Sequence, residues 1–208
     1  MQNPDRVRYL AFPMGIQMSK YQEDFKKELN FISSLEYLSQ PIEGLFRSKN
    51  SYLMKQPELS KLKTFFQLEL AKYCDEILGS KSKLDITQAW VHRITKNSYL
   101  HEHVHSNSIV SGVFYFRNDN HANITFSKDT TDRITLQRHT VTEFNAEDLI
   151  LAPQSGDLIL FPSQLKHGVS INTKEKDRYS LAFNTFCFGE LGNELSATQL
   201  IINEENNA

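Results

Sequence analysis

His101, His103 and His105 alternate with Glu102 and Val104, and three imidazoles at every second position are hard to explain as packing. In an extended strand, alternate side chains share one face, with neighbours roughly 6.6 Å apart. Two of the three rings can therefore converge on one metal ion. A metal held by two histidines from one strand needs a third ligand from elsewhere. His167 is placed to supply it, because Gly156-Asp157 suits a tight turn before the apolar run Leu158 to Phe161, and Pro162 ends that run.

Downstream lies Arg178-Tyr179-Ser180-Leu181-Ala182-Phe183-Asn184. The polar stretch Asn172 to Asp177 is expected to close an antiparallel hairpin centred between Lys174 and Glu175, pairing Val169 with Ser180 and His167 with Ala182. Arg178, Ser180, Ala182 and Asn184 then share the face of His167. Arg178 falls four residues further along, roughly 13 Å by strand rise. That gap suits a short dicarboxylate reaching from a metal to a guanidinium, and the small Ala182 leaves room for it.

The elements that must position these groups fall into two parts. Arg6 to Pro13 reads as a short strand, Ser19 as a helix cap, and Tyr21, Phe25, Lys26, Leu29 and Ile32 follow near helical spacing. Ser39 to Gln56, with Pro41 and Gly44, reads as a long connection. Pro57 opens a second helix whose apolar stripe runs through Leu59, Leu62, Phe66, Leu70, Tyr73 and Ile77 to Gly79. From Lys83 the spacing changes to short β-rich runs: Leu84 to Thr95, Tyr99 to His105, Ile109 to Phe116, Asn123 to Phe126, Ile134 to Gln137, Asp157 to Phe161, Gly168 to Ile171 and Arg178 to Phe188. Short strands without intervening helices favour a sandwich, jelly roll or barrel over a parallel sheet. The expected architecture is α+β and mainly β, in one domain. Residues 1–80 carry the N-terminal strand and helices, 83–190 the β core and 191–208 a C-terminal extension whose last residues, Asn203 to Ala208, are expected to fray.

Composition bounds the function classes. The 208 residues are 39% hydrophobic and 23% charged, ordinary for a globular chain, and the net charge of −2 gives no general attraction to nucleic acid or an anionic membrane. Cys74 and Cys187 lack metal-ligand spacing and suggest free thiols in a reducing compartment. No apolar run approaches membrane-spanning length, so a cytoplasmic protein is expected. Oligomeric state is not legible.

In order and spacing these pieces resemble the non-haem Fe(II), 2-oxoglutarate-dependent oxygenases on the double-stranded β-helix (jelly roll, cupin-like) fold. The resemblance is closest to a subgroup with His-x-His-Pro-x-Ser-x-x-Ser-Gly-Val-Tyr-Tyr, then Gly-Asp-Leu-x-x-Phe-Pro-Ser, a later His, and Arg-x-Ser-x-Ala-Phe-Asn. This chain offers His103 to Ser108, Ser111 to Tyr115, Gly156 to Ser163, His167 and Arg178 to Asn184, within a match from about Trp90 to Phe188. The resemblance implies that His103, His105 and His167 hold Fe(II). It implies that Arg178 grips the distal carboxylate of 2-oxoglutarate with a hydrogen bond from Ser180 and a further hydroxyl from Tyr115. It further implies hydroxylation of an unidentified substrate by O2, with release of succinate and CO2. Loops around Asn118 to Asn123 and Asp129 to Asp132 become candidates for substrate contact.

There are two departures. His92 stands where the subgroup often has Asn in Trp-x-Asn, and His105 stands where most of the superfamily has a carboxylate. Pairings through His101, or through Glu102 at an irregular strand end, remain alternatives. A three-histidine iron dioxygenase that uses no keto acid and a non-catalytic metal-binding jelly roll are the rival functions.

Overall fold

The computed structural model describes residues 14–118, 122–128, 139–143 and 145–202. The expected strands Arg6 to Pro13 and Ile134 to Gln137, the loop Asp129 to Asp132 and the tail from Asn203 lie outside the described residues. In chain order the elements are β1 (Gln17–Lys20), α1 (Lys26–Ser33), β2 (Tyr37–Ser39), β3 (Leu45–Ser48), α2 (Ser60–Glu76), β4 (Leu84–Ile94), β5 (Leu100–His103), β6 (Val110–Arg117), β7 (Ile124–Ser127), β8 (Asp148–Leu151), β9 (Asp157–Pro162), β10 (His167–Val169), β11 (Arg178–Cys187), β12 (Gly189–Leu191) and β13 (Leu200–Ile202).

Two antiparallel sheets make a jelly roll. A large sheet runs β1-β9-β6-β11-β4-β3-β2, a small one β5-β10-β7-β8, and β12 pairs only with β13. One face of the large sheet is covered by α2, whose Phe66, Leu70 and Tyr73 join Val91, Phe114, Leu181 and Phe183 in the larger core. On the opposite face, Val113, Tyr115, Ile159, Phe161 and Ala182 meet Ile124 and Phe126 of the small sheet. Strands β6, β9 and β11 are thus buried on both faces, which explains why their sequences are nearly continuous in apolar residues. Gly112 in β6 is required by one close approach: a Cβ there would lie 2.1 Å from the Phe183 ring, which stacks on Phe66 at 5.1 Å.

The helix after Pro57 forms as expected, beginning with a 3₁₀ turn over Pro57–Leu59. Three expectations for the chain are overturned. Ser19 caps no helix: it lies in β1 opposite Leu158, and α1 starts only at Lys26, nearly two turns later. The stretch Ser39 to Gln56 is not simply a connection, because β2 and β3 form a hairpin around Gly44, whose φ of 76° favours glycine, and β3 extends the large sheet beside β4.

The third correction matters most for the site. β10 does not pair with β11: it lies in the small sheet, where His167 faces His103 of β5 and Phe126 of β7, while β11 lies in the large sheet between β6 and β4. Asn172 is the reason. Fully buried in the link between them, it donates its backbone N–H to the Ser98 carbonyl (2.8 Å) and accepts from the Asn97 N–H (2.8 Å). Its amide Nδ2 donates to the carbonyls of Ile94 (3.0 Å) and Lys176 (3.3 Å). The link is thereby tied to the end of β4 and crosses from one sheet to the other. Among the described residues no helix is long and apolar enough to cross a membrane.

Candidate metal centre and the cleft beyond it

The cleft between the sheets contains about 350 Å³ of atom-free space and holds both chemical elements of the sequence. At one end the ligand atoms of His103, His105 and His167 all lie within 4.8 Å of one another. His103 ends β5, His167 starts β10 directly opposite it, and their ring centroids are 4.4 Å apart. His105 lies two residues beyond the end of β5, where its backbone N–H donates to the Ser163 carbonyl (2.9 Å). Strand alternation at His103 and this backbone anchor at His105 keep both rings on the inner side.

Each imidazole is oriented by an oxygen at Nδ1. His103 Nδ1 is 3.0 Å from the His101 carbonyl, His167 Nδ1 is 2.9 Å from the Leu165 carbonyl, and His105 Nδ1 is 2.6 Å from Asn184 Oδ1. Carbonyl and amide oxygens only accept, so each Nδ1 carries the proton and each Nε2 keeps a lone pair for a metal. Burial favours the neutral rings that ligation needs. It lowers the pKa of His103, takes His105 to about 4 and takes His167 to about 3. This donor set fits a divalent transition ion such as iron.

The alternatives open in the sequence separate clearly in space. His101 contributes its carbonyl to His103, and its own side chain is exposed. Glu102 faces the opposite side of β5, hydrogen-bonded by Ser127 and paired with Lys166 at 2.8 Å. Asn184 and Ser111 had no assigned role beyond their motifs. Both hold His105: Ser111 Oγ lies 2.9 Å from Nδ1 and 2.8 Å from Ser163 Oγ, which in turn donates to Ser108 Oγ at 2.7 Å. The recurrence of serine at 108, 111 and 163 was the available signal, but strand patterning alone cannot pair residues so distant in the chain.

At the other end lie Arg178, Ser180 and Tyr115, with Ser180 opposite Tyr115 across β11 and β6. Leu100, Val113, Ile124, Val169 and Ala182 supply apolar walls between the two ends. Arg178 is 1% exposed, its guanidinium lies 5.1 Å from the centre of the Tyr115 ring, and its Nε donates to Asn118 Oδ1 at 2.8 Å. No carboxylate among the described residues pairs with it. Burial lowers its pKa, yet a guanidinium keeps its proton. Among the described residues the buried Tyr115 hydroxyl has no partner in hydrogen-bond geometry; burial pushes its pKa up to about 12, against the opposing pull of the neighbouring Arg178 cation. A buried cation without an anion and a buried hydroxyl without a partner fit the carboxylate of a dicarboxylic acid.

Asn118, a candidate for substrate contact, is instead fully buried. Its Nδ2 donates to the carbonyls of Ala122 (3.0 Å) and Pro153 (2.6 Å), which fixes the Oδ1 that receives Arg178. His92 also reaches the cleft, on the row of Ser180.

Residues 88–184 match the model of the family described as "Putative 2OG-Fe(II) oxygenase". A comparison with curated protein sequences found no match. Among solved structures, the chain is similar to HygX from Streptomyces hygroscopicus with nickel, 2-oxoglutarate and hygromycin B bound, at 16% identity and a TM-score of 0.60, covering 83% of this chain and 82% of that one. It is similar to SnoN, the non-heme alpha ketoglutarate dependent epimerase from nogalamycin biosynthesis, at 12% identity and a TM-score of 0.61, covering 83% and 76%. A prolyl hydroxylase from Trichoplax adhaerens is similar at 13% identity and a TM-score of 0.57, covering 83% of each chain. At such identities the structures establish a shared fold, while the family model falls on the segment that carries the imidazoles and Arg178. Residues 88–184 thus match the 2OG-Fe(II) oxygenase family model, and the imidazole cluster and buried guanidinium within that segment fit its cofactors, iron and 2-oxoglutarate.

Proposed function

We propose that the protein hydroxylates a C–H bond of a substrate, using O2 and 2-oxoglutarate and releasing succinate and CO2. The observation that carries this reading is one cleft with two complementary ends: three imidazole ligand atoms within 4.8 Å, and a buried guanidinium that no acid pairs with among the described residues. Iron with 2-oxoglutarate and O2 supplies the oxidising chemistry.

The chain's own residues bind, orient and exclude water. His103, His105 and His167 would hold the metal through Nε2, each ring fixed by its Nδ1 contact. Arg178 would receive the distal carboxylate of the keto acid, with Tyr115 and Ser180 donating hydroxyl hydrogen bonds. The apolar walls would pack the methylene groups and keep water away, which strengthens each charge interaction inside. With a third imidazole where a carboxylate is usual, the protein brings no negative charge to the metal.

The test is anaerobic addition of Fe(II) and then 2-oxoglutarate to metal-free protein, followed by visible absorption. A charge-transfer band, absent in H167A, is the expected result. Bound iron with no band at saturating keto acid would overturn the co-substrate assignment and favour the three-histidine dioxygenase. Once a substrate is found, an 18O label entering it from O2 would support hydroxylation over another oxidation.

A further inference from the structure

Arg47 and His92 lie side by side on the inner face of the large sheet, next to the proposed 2-oxoglutarate site. β3 pairs Arg47 with His92, and β11 pairs His92 with Ser180. Directly opposed residues project from the same face of a sheet. The row therefore runs Arg47, His92, Ser180, Tyr115 across four neighbouring strands. His92, Ser180 and Tyr115 line the cleft, and Arg47 is the next residue of the row, on β3 beside His92. The Arg47 Nε is buried and has no hydrogen-bond partner, and among the described residues no carboxylate pairs with its guanidinium. His92 feels this surplus of cations: burial first, then the charges of Arg178, His103, Arg47 and His105, take its pKa down to about 3. It is neutral, so one ring nitrogen carries a proton to donate.

One cation, Arg47, and one neutral imidazole able to donate a hydrogen bond thus share a row that holds no acid. On the reading given under Proposed function, on which this step rests, 2-oxoglutarate uses one carboxylate at Arg178 and the other at the metal. Arg47 is left without an anion. We propose that Arg47 and His92 form an anion subsite for the substrate, which carries a carboxylate or phosphate group. Trp90 sets the orientation. It is two residues from His92 on the same face of β4, its ring 6.3 Å from that of His92 and 5.6 Å from that of His105. A substrate anchored at Arg47 would lie across the indole, with the carbon to be oxidised roughly 7 Å further along the strand direction, beside the metal ligands.

The test uses inorganic phosphate and acetate as probes in metal-free R178Q, where the proposed keto-acid anchor is gone. Calorimetry should show saturable anion binding, and the fluorescence of Trp90, the single tryptophan, should change with the same midpoint. Binding should weaken at least tenfold in R47Q/R178Q and persist in R47K/R178Q, which keeps the charge and controls for folding. Binding of both anions indicates a carboxylate-accepting subsite, and binding of phosphate alone indicates a phosphate subsite. No saturable binding of either anion by R178Q, or equal binding by R47Q/R178Q, overturns the proposal. So does a 2-oxoglutarate titration of iron-loaded R47Q that is weakened as much as that of R178Q, because Arg47 would then serve the keto acid. Phosphate binding with this dependence on Arg47, in a protein that forms no iron–keto acid band, would sink the co-substrate reading and leave the subsite standing.

Discussion

At the metal end of the cleft every imidazole Nδ1 already has an oxygen partner, and the Asn184, Ser111 and Ser163 network holds His105 in place. At the far end, among the described residues, Arg178 has Asn118 Oδ1 on its Nε but no acid, and the Tyr115 hydroxyl has no hydrogen-bond partner. The first end is held by the chain's own hydrogen bonds, in the orientation that the proposed metal requires. The second is left unsatisfied, and its missing partner must come from a ligand. Unpaired buried charge costs stability, so the contrast predicts opposite responses to mutation at the two ends.

The largest effect is expected at Arg178. R178M should weaken 2-oxoglutarate binding roughly 100- to 1,000-fold, as expected for losing one partner of a buried pair worth about 3–4 kcal/mol. The ligand-free variant should melt at or above the wild-type temperature, since an unpaired charge has been removed. Titration of the charge-transfer band and thermal melting read the two effects separately. A ligand-free R178M much less stable than wild type would break the contrast, because the Asn118 and Tyr115 contacts of Arg178 would then outweigh the cost of its unpaired charge.

Next comes N184A, which removes an acceptor from His105 at the satisfied end. Iron affinity, measured by competition with a chelator, should fall about 10- to 100-fold. The 2-oxoglutarate anchor should still respond to R178M in that background. Y115F should weaken 2-oxoglutarate binding only about fivefold, near 1 kcal/mol, with no loss of ligand-free stability, because the hydroxyl has nothing to lose until the ligand arrives.

The smallest effect at neutral pH is the titration of the histidines. His92, His105 and His167 have folded-state pKa values of about 3, 4 and 3, below the ordinary 6.5. Above pH 6.5 both folded and unfolded states are neutral at these rings, and stability does not depend on them. As pH falls below 6.5 the unfolded chain takes up protons that the folded chain refuses, so stability of the metal-free protein is lost progressively down to about pH 3. Melting of metal-free protein across pH 4 to 8 checks this, and a flat profile between 6.5 and 4 would contradict the burial of these rings.

Much of the β core was legible because its strands are long and obey simple rules. β4, β6, β9 and β11 follow the expected boundaries closely, since burial on both faces demands uninterrupted apolar residues. The short edge elements were not legible. β2 and β3 span three and four residues around Gly44 and read as turn chemistry, which concealed Arg47. β8, Asp148–Leu151, is exposed at its first three residues, two of them apolar, and offered no alternation. Asn118 looked like a loop residue because its polarity is the same whether it meets water or supports a buried arginine.

By itself the sequence determined which groups can do chemistry and which share a face. Alternation puts Arg178 with Ser180, Ala182 and Asn184 whatever the partner strands are, whereas His105, past the end of β5, joins His103 through its backbone bond to Ser163. Only the tertiary structure decided that His167 faces His103 across the small sheet while Arg178 rises from the large one, because a buried Asn172 turns an apparent hairpin into a crossing between sheets. Side-chain alternation is a local property of the backbone. Pairing between strands depends on where distant polar groups find their hydrogen bonds, and that is settled only when the chain is folded.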